Sequence, residues 1–455
     1  MSFSPELAAI RFGCGLSPVI APPDRAETLL SGLLAPDDLA ARFEIESFNG
    51  FSERLIKARR IRRESASRKE ITEEIGKIRK QLSVDRNRWH TMRLLRWVWT
   101  DTPFRERLTA FWSDHFTVKG KTSIMLSGIL PYQQDAIRPY LTGRFSDMLI
   151  ATTTHPMMLH FLDQSSSIGP QSRRAKVSDK QRGLNENLAR EVLELHTLGV
   201  DGPYTQKDVR QLAELFTGLT YDVQDGFRFR KGIAEPGAET VLGQSYGGNP
   251  AQLDAILAAL HDLSVHPATA RHIARKLAVH FIDDNPDPAL VDHVTARFLE
   301  TDGDLMAVYA ALLEHPSAWA GGPKNVKPPL DYVASACRAL AMDQDDIAAL
   351  SPQALRRTLV NPLALMGQPL FRPAGPDGWA EQDEVWTTPQ AVSARLRWAL
   401  SVPARLRRNL PEPRAFAEAA LGPYVTEAVR FAADAAESRS DAVGLVLSAP
   451  AFQRR

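Results

Sequence analysis

The sequence predicts a mainly α-helical protein, organised as a large multi-helix domain with a small β-hairpin excursion near residues 220–248. Apolar residues recur at three- and four-residue spacing through most of the 455-residue chain, which is the period of an amphipathic helix. Prolines stand where helices start or connect, and no fixed-period repeat is apparent, which disfavours a solenoid. These prolines are Pro103, Pro131, Pro250, Pro267, Pro286, Pro352 and Pro389.

Length and composition set the limits of this domain. A chain of 455 residues with 44% hydrophobic residues can bury a large interior, as one domain over residues 1–455 or as two lobes within it. The formal net charge is only +1, so the whole-molecule field favours neither nucleic acid nor an acidic partner. Cys14 and Cys337 lie far apart and outside any metal-type spacing, which predicts two free, buried thiols.

The sequence shows no membrane segment and no export signal. Its apolar stretches fall short of the ~20 residues that a membrane helix needs, so no transmembrane segment is predicted. The stretch from Met1 to Glu6 contains no basic region followed by an apolar one. A cytoplasmic location is therefore the expectation from the residues alone.

Residues 52–89 depart first from the amphipathic pattern. The segment is highly charged and has only a thin apolar stripe, which predicts a protruding helix or helical hairpin. Its basic cluster could contact nucleic acid or phospholipid, but a solvated face is the commoner role, and no nucleic-acid partner is expected. The cluster comprises Arg54, Lys57, Arg59, Arg60, Arg62 and Arg63.

A predicted mobile loop, residues 164–183, leads into the most polar helix of the chain. The loop is rich in serine, arginine and lysine and has no apolar periodicity, so little of it can be buried. The helix begins near Asn185, and Gly199 stands where a terminating glycine is expected. A mobile segment next to a polar helix of this kind indicates a functional site.

Glu191 and Glu194 are the main candidates for chemistry in this helix. At about 100° per residue they share one helix sector with Asn187 and Arg190. Paired carboxylates could hold a cation, or could separate their pKa values so that one serves as acid and the other as base. Arg190 is then a further catalytic candidate, and Asn187 and Asn185 are candidates for binding substrate.

A structural role for the same residues stays open. Glu186 with Arg190, and Arg190 with Glu194, are i,i+4 pairs of the kind that stabilise isolated helices. Glu191 could satisfy an arginine on a neighbouring helix, and such networks also perturb carboxylate pKa values. His196 projects from roughly the opposite side of an ideal helix and is expected to be a hydrogen-bonded core histidine.

A metal site would require ligands from several parts of the chain. Glu191, Glu194, His115 and His155 could form one if the fold brings them together, and the cofactor would then be a divalent metal. No HExxH or paired ExxH motif is present. The chain also lacks a GxSxG elbow, a P-loop and a GxGxxG motif, so nucleotide-binding and common serine-hydrolase interpretations have no support.

Two more elements follow the polar helix. Thr205 can cap the next helix, with Asp208 closing a capping box. Between residues 220 and 248, aromatic and polar residues alternate around glycines, which predicts the small hairpin. This hairpin is expected to lie beside the helical body and to shape one wall of a cleft.

Several motifs are recognisable when they are taken together. Asn185-Glu186-Asn187 with Ala189-Arg190-Glu191, followed by the run from Glu194 to Val200, is the most specific. The chain resembles the bacterial family called domain of unknown function 1800. Further segments that carry this resemblance are 11–13, 111–116, 155–163, 204–209, 216–220, 327–329, 366–371, 373 and 378–379.

The resemblance implies a mostly helical bacterial protein without a settled activity. Relatives are often exported, which makes the periplasm the alternative location. They often neighbour a second uncharacterised family related to sulfatase-like proteins, which implies a partner from that family. This chain departs from the family pattern around Gly378-Trp379, where acidic residues 381–384 replace the glycine-rich segment that we expect.

Two classes of function follow from these observations. In the first, the protein is a hydrolase-type enzyme that uses the Glu191–Glu194 pair as acid and base or as metal ligands. In the second, it is a non-enzymatic binding or assembly protein that acts with a partner encoded nearby. A polar pocket beside the loop favours the first class, and a large exposed apolar patch favours the second.

Overall fold

A computed structural model describes residues 3–65, 67–177 and 183–455, and it confirms the mainly α-helical fold. The helices before residue 162 are Pro5–Arg11, Ala26–Leu34, Asp38–Arg42, Phe48–Glu64, Arg68–Trp99, Pro103–His115, Ile129–Ala136, Phe145–Thr154 and Pro156–Phe161. Those of the middle part are Arg173–Lys176, Asn187–Glu191, Gln206–Leu215, Leu253–Ser264, Pro267–Phe281, Pro288–Glu300 and Leu305–Glu314.

The C-terminal part is also built from short helices. They are Pro329–Ala339, Gln344–Ala348, Pro352–Leu355, Asn361–Leu365, Asp383–Trp386, Pro389–Ser401, Pro403–Leu406, Pro413–Leu421, Glu427–Ala435, Arg439–Ser448 and Pro450–Gln453. Two π-helical turns occur at Val192–His196 and Arg356–Val360. Single 3₁₀ turns connect other helices at Met125–Gly128, Arg138–Tyr140, Gln164–Ser166, Pro316–Trp319 and Gly422–Tyr424.

Local sequence signals account for many helix ends. Pro103, Pro267, Pro352 and Pro389 each occupy the first helical position, where the missing N–H costs no hydrogen bond. Pro131 differs, because it lies within the first turn of its helix. The predicted capping box of the helix Gln206–Leu215 is confirmed: Thr205 caps the Asp208 N–H, and the Asp208 carboxylate accepts from the Thr205 N–H.

The β excursion is confirmed and consists of two separate antiparallel hairpins. Leu219–Asp222 pairs with Gly226–Phe229, with Leu219 opposite Phe229. Gly237–Val241 pairs with Gln244–Gly248 and packs on the helix Gln206–Leu215. Asp208 joins this hairpin to that helix by accepting a hydrogen bond from the Leu242 N–H at 2.8 Å.

Buried apolar side chains form two large clusters. The larger one is built mainly from residues before 320, and the smaller one mainly from residues after 330. The long helix Arg68–Trp99 belongs to both, since Leu82 and Trp89 lie in the larger cluster and Leu94 and Val98 lie in the smaller one. This helix therefore fixes the position of one core relative to the other.

The segment 52–89 is a helical hairpin whose two ends differ in burial. Residues 68–74 are mostly exposed, whereas Ile75, Ile78, Leu82 and Trp89 are buried in the larger core. The segment is thus charged at its tip and packed at its base. Its peripheral role in folding stays a prediction.

The predicted mobile loop 164–183 is only partly described, because residues 178–182 lie outside the described residues. Its first part packs on the stretch that follows the first hairpin: the Gly169 N–H donates to the Ile233 carbonyl at 2.9 Å, and the Gln171 N–H donates to the Glu235 carboxylate at 2.8 Å. Mobility of the loop stays a prediction.

Two further predictions from the sequence concern membrane segments and cysteines. Within the described ranges, none of the helices combines the length and apolar character that a membrane crossing requires. Cys14 and Cys337 are free and buried, as predicted.

Candidate functional site

The polar helix that follows the loop is α-helical over Asn187–Glu191 and continues as a π-helical turn over Val192–His196. The Thr197 hydroxyl donates to the Val192 carbonyl at 2.6 Å, and Gly199 follows with a φ of 90°, a conformation that glycine adopts without strain. The prediction of one regular α-helix is therefore wrong in this turn. Turns of this type are frequent at functional sites.

Arg190 is placed between two glutamates, as its spacing predicts. Its guanidinium contacts Glu186 at 3.3 Å and Glu194 at 3.2 Å, and it also donates to Gln206 at 2.9 Å. All of these groups are partly exposed, so the ion pairs contribute little stability individually. The structural interpretation accordingly accounts for the contacts of Glu194 and Arg190.

Glu191 lies apart from this network. Among the ion pairs that the described residues form, none involves Glu191, so the alternative of an arginine partner on a neighbouring helix has no support there. Burial, and next the neighbouring charge of Glu194, raises the pKa of Glu191 to about 7, while Arg190 opposes the shift. Asp377 acts in the same direction as Glu194.

Asn185 and Asn187 hold the start of the helix. The Asn185 amide donates to the Leu162 carbonyl at 3.0 Å, and its oxygen accepts from the Asn187 N–H at 2.9 Å. The Asn185 N–H also donates to the Ser167 hydroxyl at 3.0 Å. These contacts tie the helix to the loop before it, and substrate binding by either asparagine stays a prediction.

The two histidines proposed as metal ligands have structural contacts. His155 lies between the rings of Phe48 and Tyr132, and its Nδ1 accepts from the Met157 N–H at 3.1 Å. Burial lowers the pKa of His155 to about 3. The Nε2 of His115 lies 3.2 Å from the carbonyl oxygen of His196.

The predicted metal site has no support in the fold. In the part of the chain that the structure describes, no group of three or more His, Cys, Asp or Glu side chains is placed to hold a metal ion. The set of Glu191, Glu194, His115 and His155 is therefore not gathered into such a site.

A cavity with many charged residues in its wall lies elsewhere, between the two apolar cores. It has a volume of about 150 Å³ and is bordered by Ile45, Val118 and Tyr132 of the larger core and by Trp97 and Leu363 of the smaller one. A single water needs roughly 10–15 Å³ of such space, so the cavity can hold several waters or a small ligand. The charged residues in its wall are Arg93, Arg96, Glu106, Arg107, Asp114, Arg138, Asp331, Glu381 and Arg455, together with His280.

Asp331 is the centre of a buried ion network at this cavity. Its carboxylate accepts from Arg107 at 2.6 Å, from Arg455 at 2.9 Å and from the Ser335 hydroxyl at 3.1 Å. Burial alone raises the pKa of a carboxyl group, but Arg107 and Arg455 hold the pKa of Asp331 at about 2. The group is therefore ionised at neutral pH and compensates two arginines that are almost fully buried.

His280 continues the network towards Glu381. Its Nδ1 lies 2.6 Å from a Glu381 oxygen, and its Nε2 lies 3.3 Å from the Arg107 guanidinium. An arginine only donates, so Nε2 accepts and Nδ1 carries the proton given to Glu381. Burial lowers the pKa of His280 to about 4, whereas His280 and Arg455 outweigh burial and hold the pKa of Glu381 at about 2.

Asp114 is a carboxylate of the cavity wall that lies outside this ion network. Of the ion pairs formed by described residues, none includes Asp114, whose oxygens instead face the Trp379 N–H at 2.9 and 3.2 Å. Burial, and next the charge of Glu381, raises the pKa of Asp114 to about 7. The neighbouring Ser113 hydroxyl lines the same cavity and has no hydrogen-bond partner among the described residues.

Lys276 connects the cavity with the polar helix. Burial lowers the pKa of its ammonium group, and the charges of Asp114, Glu381 and Asp377 oppose that shift. Asp377 also raises the pKa of both Asp114 and Glu191. The two carboxylates with a pKa of about 7 therefore belong to one electrostatic neighbourhood, although Glu191 is not part of the cavity wall.

Sequence reasoning identified Glu191 but missed the cavity. Asp114 is adjacent to His115 in a motif that carries the family resemblance, but His115 and not Asp114 is proposed as a site residue from the sequence. The sequence signal that points to the cavity is the set of motifs that carry the family resemblance, because several of them contribute to the cavity wall although they lie far apart in the chain. These are segments 111–116, 327–329, 366–371 and 378–379.

Comparison with known proteins identifies a family for this chain but no individual relative. Neither the curated proteins nor the solved structures include a match to this chain. A family model described as "Protein of unknown function (DUF1800)" matches residues 10–454, which is nearly the whole chain. The chain therefore belongs to the DUF1800 family.

Proposed function

We propose that the protein is a hydrolase-type enzyme in which Asp114 performs acid–base chemistry at the cavity between the two cores. The observation that carries the proposal is the placement of this carboxylate in the cavity wall, with a backbone N–H as its hydrogen-bond donor and without an ion pair among the described residues. A general acid or base is most effective when its pKa lies near the working pH. The pKa of about 7 suits Asp114 to that role.

The rest of the wall supports the same role. The carboxylates of Asp331 and Glu381 compensate the buried charges of Arg107 and Arg455, so this network fixes the geometry without competing for a proton. The Ser113 hydroxyl is available to a bound substrate or water. Glu191 is proposed as a second carboxylate that modulates the site, through the shared neighbour Asp377.

Arg93 suggests the charge of the substrate. It lines the cavity, its guanidinium lies 5.4 Å from the centre of the Phe371 ring, and it contacts the His90 Nδ1 at 3.1 Å. Over the described ranges it forms no ion pair with a carboxylate. A half-buried cation without an ion-pair partner among the described residues favours a small substrate that carries a negative charge.

The experiment is a hydrolysis screen with a matched pair of variants. The purified chain is assayed on chromogenic carboxylic esters, phosphoesters, sulfate esters and glycosides, beside Asp114→Asn and the exposed control Asp201→Asn. We expect Asp114→Asn to lose about 10²–10⁴-fold in kcat for the substrate that the parent hydrolyses, with the control unchanged. Equal rates for Asp114→Asn and the parent would overturn the role of Asp114, and no turnover of any substrate class would count against the enzyme.

A second candidate function rests on a separate observation. Along the helix Pro389–Ser401, Val392, Leu396 and Leu400 are 38%, 39% and 45% exposed at i,i+4 spacing, and Leu445 beside them is 40% exposed. An apolar stripe of this kind favours a binding or assembly protein, with a partner from the sulfatase-like family that the resemblance implies. Co-purification with that neighbour, abolished by Leu396→Glu and retained in Leu299→Glu, would support this alternative.

A further inference from the structure

A basic cleft lies beside the cavity, on the other side of the segment 371–373. Among described residues its wall includes five basic side chains and no acidic one. In a chain whose net charge is only +1, this is a strong local concentration of positive charge. The five are Arg79, Arg86, Lys119, Lys121 and Arg372.

The arginines of the cleft repel one another. Burial, and next the charges of Arg372 and Arg356, lowers the pKa of Arg86. Arg86 is held in place by hydroxyl groups, since it donates to Ser127 at 3.1 Å and to Ser83 at 3.5 Å. Like charges are thus held together by the fold, without a carboxylate partner for Arg86 or Arg372 among the residues that the structure describes.

The cleft extends along the helix Arg68–Trp99. A second concave surface adjoins it at Ser83, and within the described residues this surface has Lys80, Arg356 and Arg357 in its wall and again no acidic side chain. Arg356 and Arg357 are exposed at the start of the π-helical turn Arg356–Val360. The two surfaces together form a basic track with room for more than one anionic group.

The loop at the other wall is shaped for close approach. A Cβ atom on Gly120 would lie 2.1 Å from the Leu126 backbone nitrogen, so the loop can fold against that turn only with glycine here. This fold places Lys119 and Lys121 on either side of Gly120 in the cleft wall, beside the hydroxyl groups of Thr122 and Ser123. Lys121 pairs with Asp163 at 2.5 Å and Lys119 donates to the Ala374 carbonyl at 2.5 Å, so the arginines are the cleft's principal cations. Hydroxyl and cationic donors in one concavity are the groups that bind phosphate oxygens.

We propose that this cleft binds a small soluble ligand that carries two or more phosphate groups, with Arg86 and Arg372 as its principal cationic contacts. The walls favour a small ligand over nucleic acid, because single-strand binding relies on exposed aromatic rings on which bases stack. The aromatic residue in the cleft wall is Phe371, and its side chain is buried. The inference does not depend on the reaction at the cavity.

The test uses pyrophosphate as the probe. Titration calorimetry on the full chain at constant ionic strength compares the parent, the double variant Arg86→Gln with Arg372→Gln, and the control Lys57→Gln with Arg62→Gln, which loses the same charge on the exposed hairpin. We expect saturable binding by the parent and the control, and affinity at least about tenfold weaker for the cleft variant, because two charge-assisted contacts are lost.

Several results would overturn the proposal. These are no saturable binding of pyrophosphate by the parent, equal weakening in both double variants, tighter binding of a single-stranded oligonucleotide, or binding only to vesicles of anionic phospholipid. Folding is checked by thermal unfolding without ligand. We expect the cleft variant to unfold at the parent temperature or above it, because repulsion between like charges is relieved. If the double variant unfolds at a lower temperature, the binding test is repeated with the single variant Arg372→Gln, whose substitution is at an exposed side chain.

Discussion

Both carboxylate oxygens of Asp114 face a single donor, the backbone N–H of Trp379, at 2.9 and 3.2 Å. Gly378, which precedes this donor, has a φ of 83°, and a Cβ atom there would lie 2.7 Å from the Asp114 carboxyl carbon. The glycine therefore permits the close approach that positions the carboxylate. The segment that holds Asp114 through this backbone contact is more than 260 positions away in the sequence.

Asp114→Asn should raise stability at alkaline pH. The folded-state pKa of about 7 lies above the ordinary value of 3.8. The contribution of the Asp114 carboxyl group to the free energy of unfolding is therefore complete below pH 3.8 and is lost as the pH rises through 7. The amide keeps an oxygen for the Trp379 N–H and carries no charge, so we expect a gain of up to about 4 kcal/mol at pH 8, at about 1.4 kcal/mol for each unit by which the pKa is raised. Urea denaturation at pH 5 and pH 8 measures it, and a gain that is equal at both pH values would contradict the assigned pKa.

Glu191→Gln and Glu194→Gln should change stability in opposite directions. The pKa of Glu191 is raised from 4.5 to about 7, so its contribution is complete below pH 4.5 and is lost as the pH rises through 7. Its side chain is partly exposed and screened by solvent, so we expect Glu191→Gln to gain about 1 kcal/mol at pH 8. Glu194→Gln removes the ion pair with Arg190 and should cost about 0.3–0.5 kcal/mol.

Thermal unfolding of both variants at pH 5 and pH 8 tests this pair of expectations. The two variants are matched, because they make the same substitution in the same helix. Destabilisation of Glu191→Gln at pH 8 by several kcal/mol would mean that Glu191 has a buried cationic partner and belongs to the structural network.

The sequence predicts those features that depend on near neighbours. The mainly helical fold, the capping box at Thr205 and the pairing of Arg190 with Glu186 and Glu194 all follow from spacings of three or four residues. The π-helical turn after Glu191 could not be predicted in this way, because it depends on how the chain packs as well as on its periodicity.

The cavity network depends on distant residues. Arg107 and Asp331 are 224 positions apart, and Asp331 and Arg455 are 124 positions apart. No local pattern indicates that these three side chains meet. Their meeting requires the two apolar cores to be in place, and the local periodicity of a single sequence does not reveal how the helices pack.

Leu82→Ala should destabilise the protein substantially, although it lies in the charged segment 52–89. The side chain is 1% exposed and belongs to the larger core. Truncating a buried leucine costs about 2–5 kcal/mol, through lost burial and the cavity left behind. Ile71→Ala, at a partly exposed position nearer the tip of the same helix, is the control and should cost less. Urea denaturation compares the two variants, and a neutral Leu82→Ala would support the prediction that the whole segment is peripheral.

Asp331→Asn should be the most destabilising of these changes at neutral pH. The amide cannot compensate Arg107 and Arg455, both almost fully buried, and an unpaired buried charge costs about 3–5 kcal/mol. The folded-state pKa of about 2 lies below the ordinary 3.8, so the contribution of Asp331 is present above pH 3.8 and is lost as the pH falls through 2. The difference between the parent and Asp331→Asn should therefore be largest at pH 7 and smaller at pH 3. Urea denaturation at both pH values measures this difference, with the exposed Asp346→Asn as the control. If Asp331→Asn is as stable as the parent at pH 7, the two arginines do not need this carboxylate.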